Sequence, residues 1–235
     1  MSHSSTEVSN GTLLRPEARP RPHLGVLFHD SIGNFAVVTP LLRGLHEKYP
    51  SCTLDYFGGP RSQELEEASP LIDSRVSLFD GKEGLRGVVD YVRQREREVG
   101  PYDLAINLEF HPLNARVMSV LNPRFAVGNV FEPDLRKELA PAPTRPSALA
   151  TATWARPNFL EESGDVISSN FIGEIFCRMA GVEADYQRTE IPWVSPGLGP
   201  GEPPELLIAT GASRPAKLWP VEYWEAFCTG ARGEA

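Results

Sequence analysis

The stretch Thr210-Gly211-Ala212-Ser213-Arg214-Pro215-Ala216-Lys217 packs the most chemistry into the shortest span of this sequence. An apolar run, Glu205-Leu206-Leu207-Ile208-Ala209, precedes it, and Trp219-Pro220-Val221-Glu222 follows it. It therefore reads as a loop between a strand and a helix. Gly211 lets the backbone approach a ligand, Ser213 offers a hydroxyl, and Arg214 and Lys217 bring positive charge. Unpaired amides at the helix start add a partial positive field, and Pro220 is preset for the first turn. Thr210, Gly211, Ser213, Arg214 and Lys217 together suit a diphosphate. The stretch is not a Walker loop, and GxGxxG is absent from the chain.

A second set of residues could move a proton. Asp30 lies just upstream of Gly33-Asn34, and Glu109 and His111 lie just before Pro112. A general base needs a carboxylate or imidazole within hydrogen-bond reach of a hydroxyl. Gly33 reads as the site of a tight backbone turn, and Asn34 reads equally as a helix cap. His111 can also be read as a buried, satisfied histidine. Five histidines with no HxxxH or HxH spacing give no metal site, and no metal or cofactor is expected.

The elements that must hold these residues follow from periodicity. Leu24-Gly25-Val26-Leu27-Phe28 reads as a strand. Phe35, Val38, Leu42 and Leu45 then fall at helical spacing, with Pro40 inside the pattern, where it should bend the helix or sit near its first turn. The alternation repeats with strands at Thr53 to Phe57, Arg75 to Phe79, Leu104 to Leu108 and Phe125 to Gly128. Helices are expected from Ser62, as a cap, to Ala68, around Leu85 to Val92, from Pro112 to Leu121 and from Asp165 to Gly181. The charged run Arg93 to Glu98 reads as a solvated face. The pattern predicts an α/β fold with a parallel sheet and helices on both faces. Ligands of such sheets bind beyond the carboxyl ends of the strands. The loops carrying Asp30, Gly33 and Asn34, then Gly59 and Arg61, then Glu109, His111 and Asn114 should therefore line one cleft.

Composition limits the partners. The 235 residues carry 23 Lys+Arg against 31 Asp+Glu, a net charge of −8. Such a chain is repelled by nucleic acid and by anionic membrane surfaces. No run of apolar residues is long enough for a transmembrane segment, which leaves only peripheral membrane contact. Cys52, Cys177 and Cys228 are far apart, fit a reducing cytoplasm and read as small buried hydrophobes. Residues 1–22 read as a disordered lead-in and 23–195 as a first Rossmann-like domain. Residues 196–204 read as a Pro/Gly linker. Residues 205–235 read as the first strand, loop and helix of a second, incomplete domain. The stretch 129–166, rich in proline, is too long for an ordinary connection.

Three segments, in order, resemble glycosyltransferase family 9, which holds the ADP-heptose:lipopolysaccharide heptosyltransferases. Gly33-Asn34-Phe35-Ala36-Val37-Val38-Thr39-Pro40-Leu41-Leu42-Arg43-Gly44-Leu45 is similar to its first turn and helix. Tyr102-Asp103-Leu104-Ala105-Ile106-Asn107-Leu108 resembles its "YDLVIDL" strand, and Thr210 to Pro220 resembles its "G(A/T)(S/T)…K.WP" loop. The resemblance implies a GT-B architecture of two Rossmann-like domains, with acceptor on the first and nucleotide-sugar on the second. It implies inverting, metal-independent transfer of a sugar from a nucleotide-diphosphate donor to a glycan or lipid-linked acceptor, as in lipopolysaccharide or glycan biosynthesis in a bacterial cytoplasm. Lys217 and Ser213 would hold the diphosphate. The family usually has Gly-Asp where this chain has Gly33-Asn34, and that Asp is its proposed base. Either Asp30, Glu109 or His111 takes the role, or the chain is a non-catalytic glycan-binding or interaction domain. A dinucleotide oxidoreductase is a third class, weakened by the missing GxGxxG.

Overall fold

The computed structural model describes residues 20–78, 84–128, 158–192, 211 and 217–233. The chain divides into two units, Met1–Val194 and Ser195–Ala235.

The first unit is built on a five-stranded sheet, every pair parallel, in the order β3-β2-β1-β4-β5. Its strands are β1 (His23–Leu27), β2 (Thr53–Gly58), β3 (Ser74–Ser77), β4 (Leu104–Asn107) and β5 (Phe125–Gly128). β1 is central and buried at all five positions, as a strand covered on both faces must be. Alternate residues feed two cores. Leu24, Val26, Leu54, Tyr56, Leu104 and Ile106 face a core closed by α1 (Ile32–Lys48) and by a later helix, Ile172–Met179. Leu27, Phe57 and Ala105 face the other core, closed by α3 (Gly84–Glu98) and α4 (Pro112–Leu121). The short α2 (Gln63–Ala68) packs beside β2 and β3. A five-residue α5 (Phe159–Ser163) precedes the helix Ile172–Met179, which is α6.

Several expectations are corrected in detail. α1 starts at Ile32 because Ser31 caps it, its hydroxyl accepting from the Asn34 N–H at 3.3 Å. Gly33 and Asn34 are therefore helical residues, neither a tight turn nor a cap. Pro40 sits deep inside α1 and is buried. Its missing N–H would have bonded the Ala36 carbonyl, and the Thr39 hydroxyl donates there instead at 2.8 Å. Ser62 occupies the cap position of α2, but its hydroxyl donates to the Glu66 carboxylate at 2.7 Å rather than capping. The charged end of α3 is not uniformly solvated: Arg95 is 14% exposed and pairs with the fully buried Asp55. The helix expected from Asp165 begins only at Ile172. Ser168 and Ser169 bond the buried Glu174 carboxylate, which holds residues 168–171 outside the helix. Cys177 is buried as expected, but Cys52 is half-buried and Cys228 exposed.

In the second unit, α7 (Val221–Gly233) follows Trp219, whose ring packs edge-on against Trp224 at 4.7 Å. The linker and strand expected at 196–209, Phe79, and the proline-rich stretch from 129 to 157 lie outside the described residues. No described helix is long and apolar enough to cross a membrane.

Candidate functional site

β1 and β4 are neighbours, yet their chains leave in opposite directions. The loop after β1 leads into α1 on one face, and the loop after β4 leads into α4 on the other. A crevice beyond the carboxyl ends of the strands follows from that reversal.

Asp30 lies in the first of these loops and is bound on two sides. Arg61, from the loop after β2, donates to Asp30 Oδ1 at 2.7 Å, and its Nε donates to Oδ2 at 3.2 Å. The same Nε reaches the Asp30 carbonyl at 3.2 Å. His29 Nδ1 stands 3.2 Å from Oδ1. The pair spans 31 residues and clamps two loops together. The hydrogen bonds to Asp30 push the exposed Arg61 guanidinium above its ordinary value and keep it charged. Gly59 makes the clamp possible, since a Cβ there would lie 1.9 Å from the Asp30 Cβ. Glu66 and Arg75, which the sequence reading missed, brace this loop. Glu66 accepts from the Gly59 N–H at 3.3 Å and from Arg75 Nε at 2.6 Å, and Arg75 also donates to the Gly59 carbonyl at 3.2 Å. The Gly58-Gly59-Pro60 turn was the visible signal; the carboxylate under it was not.

Beyond β4, the Asn107 side chain accepts from the Glu109 N–H at 3.0 Å and turns the chain. Glu109 is half-buried. His111 is exposed, not a buried histidine: it caps α4, its Nδ1 accepting from the Leu113 N–H at 3.2 Å. With that lone pair engaged, a neutral His111 ring carries its proton on Nε2 and presents a donor there. Asn114 is the third residue of α4 rather than a loop residue. It is fully buried, and among the described residues neither its amide nitrogen nor its amide oxygen has a partner. Asn34 stands at the start of α1, half-buried, and its amide has no basic lone pair to take a proton.

The structure thus brings Asp30, Gly59 and Arg61 into contact, with Gly33 and Asn34 opening the helix that follows Asp30. It places Glu109, His111 and Asn114 on the segment leaving the adjacent strand. Gly211 and Lys217 belong to the second unit and are exposed. Thr210, Ser213 and Arg214 lie outside the described residues. Among the described residues no three His, Cys, Asp or Glu side chains gather to hold a metal ion. Burial pushes the Cys52 thiol up to about 11 and the Cys177 thiol up to about 12, so neither supplies a thiolate. A separate cleft of about 980 Å³ opens between β3 and α3, lined by Val76, Ser77, Tyr91, Gln94 and Arg97 among others. None of the expected site residues lines it.

No model of a protein family matches the sequence, and no curated protein matches it significantly. Among solved structures, the chain is similar to the glycosyl transferase family 9 protein from Veillonella parvula DSM 2008. The two are 20% identical over 47% of this chain and 32% of that one, with a TM-score of 0.41. It is also similar to E. coli ADP-heptose lps heptosyltransferase II, at 19% identity over 45% of this chain and 30% of that one, with a TM-score of 0.37. The chain spans less than a third of the length of either protein. An overlap of that size describes part of a sheet-and-helix frame and says nothing of chemistry.

Proposed function

We propose that this chain is a glycosyltransferase of the family 9 type, or the acceptor-side part of one. It transfers a sugar from a nucleotide-diphosphate-sugar to a hydroxyl of a glycan or lipid-linked acceptor. The observation that carries the reading is the clamped crevice edge, where Asp30, Gly59 and Arg61 fix two loops beside the reversal between β1 and β4. The resemblance of Gly33 to Leu45, of Tyr102 to Leu108 and of Thr210 to Pro220 supplies the reaction class.

The base is assigned by what each candidate is already doing. Both Asp30 oxygens accept from Arg61, which commits Asp30 to bracing the two loops. The Nδ1 lone pair of His111 is spent on its cap. Asn34 takes no proton. Glu109 remains, and no described residue pairs with its carboxylate. In this reading Glu109 deprotonates the acceptor hydroxyl, which attacks the anomeric carbon from the face opposite the diphosphate, so the configuration inverts. Lys217 and Arg214 offset the charge of the departing diphosphate and the Ser213 hydroxyl donates to it, without a metal. Work on bacterial lipopolysaccharide or another glycan in the cytoplasm fits this chemistry.

Release of nucleoside diphosphate from ADP-, UDP- and dTDP-sugars tests the proposal. Glu109→Gln and Lys217→Ala should each lower release by about 100-fold or more. No release from any donor, or full release by Lys217→Ala, ends it. Asn34, at the place where the family carries Asp, favours a second reading as a non-catalytic glycan-binding domain. Calorimetric binding of a glycan by a chain that hydrolyses no donor would select that one.

A further inference from the structure

The first turn of α4 holds a polar side chain for which the fold supplies no partner among the described residues. Asn114 shares one face of the helix with Val117, Met118 and Leu121, which stand three, four and seven positions further on. Those three belong to the core between the sheet and α4, so Asn114 faces the sheet with them. It stands at the end of that stripe nearest the helix start. α4 opens just past the carboxyl end of β4, so this is the edge where the chain leaving β1 and the chain leaving β4 part. Asn107, the last residue of β4, lies two positions after Ala105 and faces the same core. It is 2% exposed, and its side chain accepts from the Glu109 N–H. Two carboxamides therefore stand on the α4 side of the crevice edge, next to the segment that carries Glu109.

Asn114 is fully buried, and neither Nδ2 nor Oδ1 has a hydrogen bond among the described residues. A carboxamide offers two donor hydrogens and two acceptor lone pairs. Burying them unmet costs stability that an apolar residue at the same place would not cost. A group left in that state marks the place of a water, an ion or a ligand. The class of ligand follows from the amide itself. A carboxylate only accepts, so it would satisfy Nδ2 and set its lone pairs against Oδ1. A metal ion would do the reverse. A hydroxyl both donates and accepts. Two neighbouring hydroxyls on a sugar ring match both ends of the amide, one accepting from Nδ2 and the other donating to Oδ1. A trapped water meets the amide in an empty crevice, and a sugar that enters displaces it and makes the same bonds. The amides that open α4, a helix of ten residues, add a partial positive field that favours oxygen. We propose that Asn114 binds a pair of neighbouring hydroxyls on an uncharged sugar unit of the acceptor, beside the hydroxyl that Glu109 deprotonates.

The inference rests on the transfer reading for the role of the sugar as acceptor, and on Asn114 alone for the preference for an uncharged polyol. In this structure Asn114 is closed to solvent, so a sugar reaches it as the crevice edge opens. Ile32 and Arg61 on that edge are 60% and 62% exposed. Segments so little buried open at the lowest free-energy cost.

The test is a titration of the full chain, labelled with nitrogen-15 at asparagine and followed through its side-chain amide signals. The Asn114 pair is the one missing from Asn114→Leu. The methyl glycosides of glucose, galactose and mannose are the neutral probes, and acetate is the anionic one. At least one glycoside should shift the Asn114 pair in a saturable way, while acetate leaves it in place. By calorimetry, Asn114→Leu should bind that glycoside about tenfold more weakly. A pair unmoved by all three glycosides, or moved equally by acetate, overturns the proposal, as does equal affinity in the variant. If Asn114→Leu does not fold, the pair is recognised by its slow exchange with solvent, and the wild-type titration decides. The transfer reading fails separately. A chain that releases nucleotide from no donor but shows the Asn114 shift is a sugar binder and not a transferase. A chain that turns over donor with the pair unmoved keeps its reaction and loses this site.

Discussion

The two edges of the sheet handle charge in opposite ways. At the amino-terminal edge Asp55 is fully buried and takes bonds from His23, Arg95 and Tyr102. At the carboxyl-terminal edge Arg61 is 62% exposed, Glu109 is half-buried, and Asn114 is buried with both amide atoms unpartnered among the described residues. A saturated charge cluster has nothing left to offer a ligand and serves the fold. An edge with polar groups left over is where binding is to be sought.

Variants should separate the two edges by the size of their effect on stability. Asp55→Ala removes the fully buried partner that His23, Arg95 and Tyr102 share, and should cost about 3–5 kcal/mol in a urea titration. A loss below about 1 kcal/mol would mean the two edges do not differ. The same carboxylate predicts an acid limb. Its folded value is depressed, so its contribution is complete above the unfolded value of about 3.9 and fades as pH falls through the folded one. Melting curves between about pH 5 and 2 should therefore converge for wild type and Asp55→Asn. Next in size is Gly59→Ala. The added methyl meets Asp30, and we expect about 1–3 kcal/mol of destabilisation and a displaced Asp30–Arg61 pair, visible in a crystal structure.

Smaller effects belong to the open edge. Asn114→Leu removes two unpartnered polar atoms from a buried place and should stabilise the fold by about 1 kcal/mol, read from the melting midpoint. A marked loss instead would reveal a partner for that amide. Arg61→Ala should leave the melting midpoint little changed, because the Arg61 side chain is 62% exposed. Its effect should appear in donor turnover, through the loosened Asp30 loop.

Much of the frame could be read residue by residue. α4 and β5 lie at their expected limits because Pro112 is preset for the first turn of a helix, and because Gly128, at φ +91, ends its strand where a side chain would strike the Asn107 carbonyl. α1 was read as starting too late because glycine and asparagine look like turn residues, while Ser31, the actual cap, carried no special weight. The site was legible as a set of loops at one edge. Its internal pairing was not: nothing local links Asp30 to Arg61, or Arg95 to an aspartate 40 residues away. An arginine in a run of surface charges looks the same whether it faces water or a buried carboxylate.

The order of residues alone determined the alternation of strand and helix, and with it a parallel sheet whose loops gather at one edge, because apolar periodicity is a local property that each segment carries with it. Only the folded chain decided which charges are consumed and which stay available. Ion pairing depends on separations of a few ångströms and on the water excluded around them, and both come into being when distant segments pack.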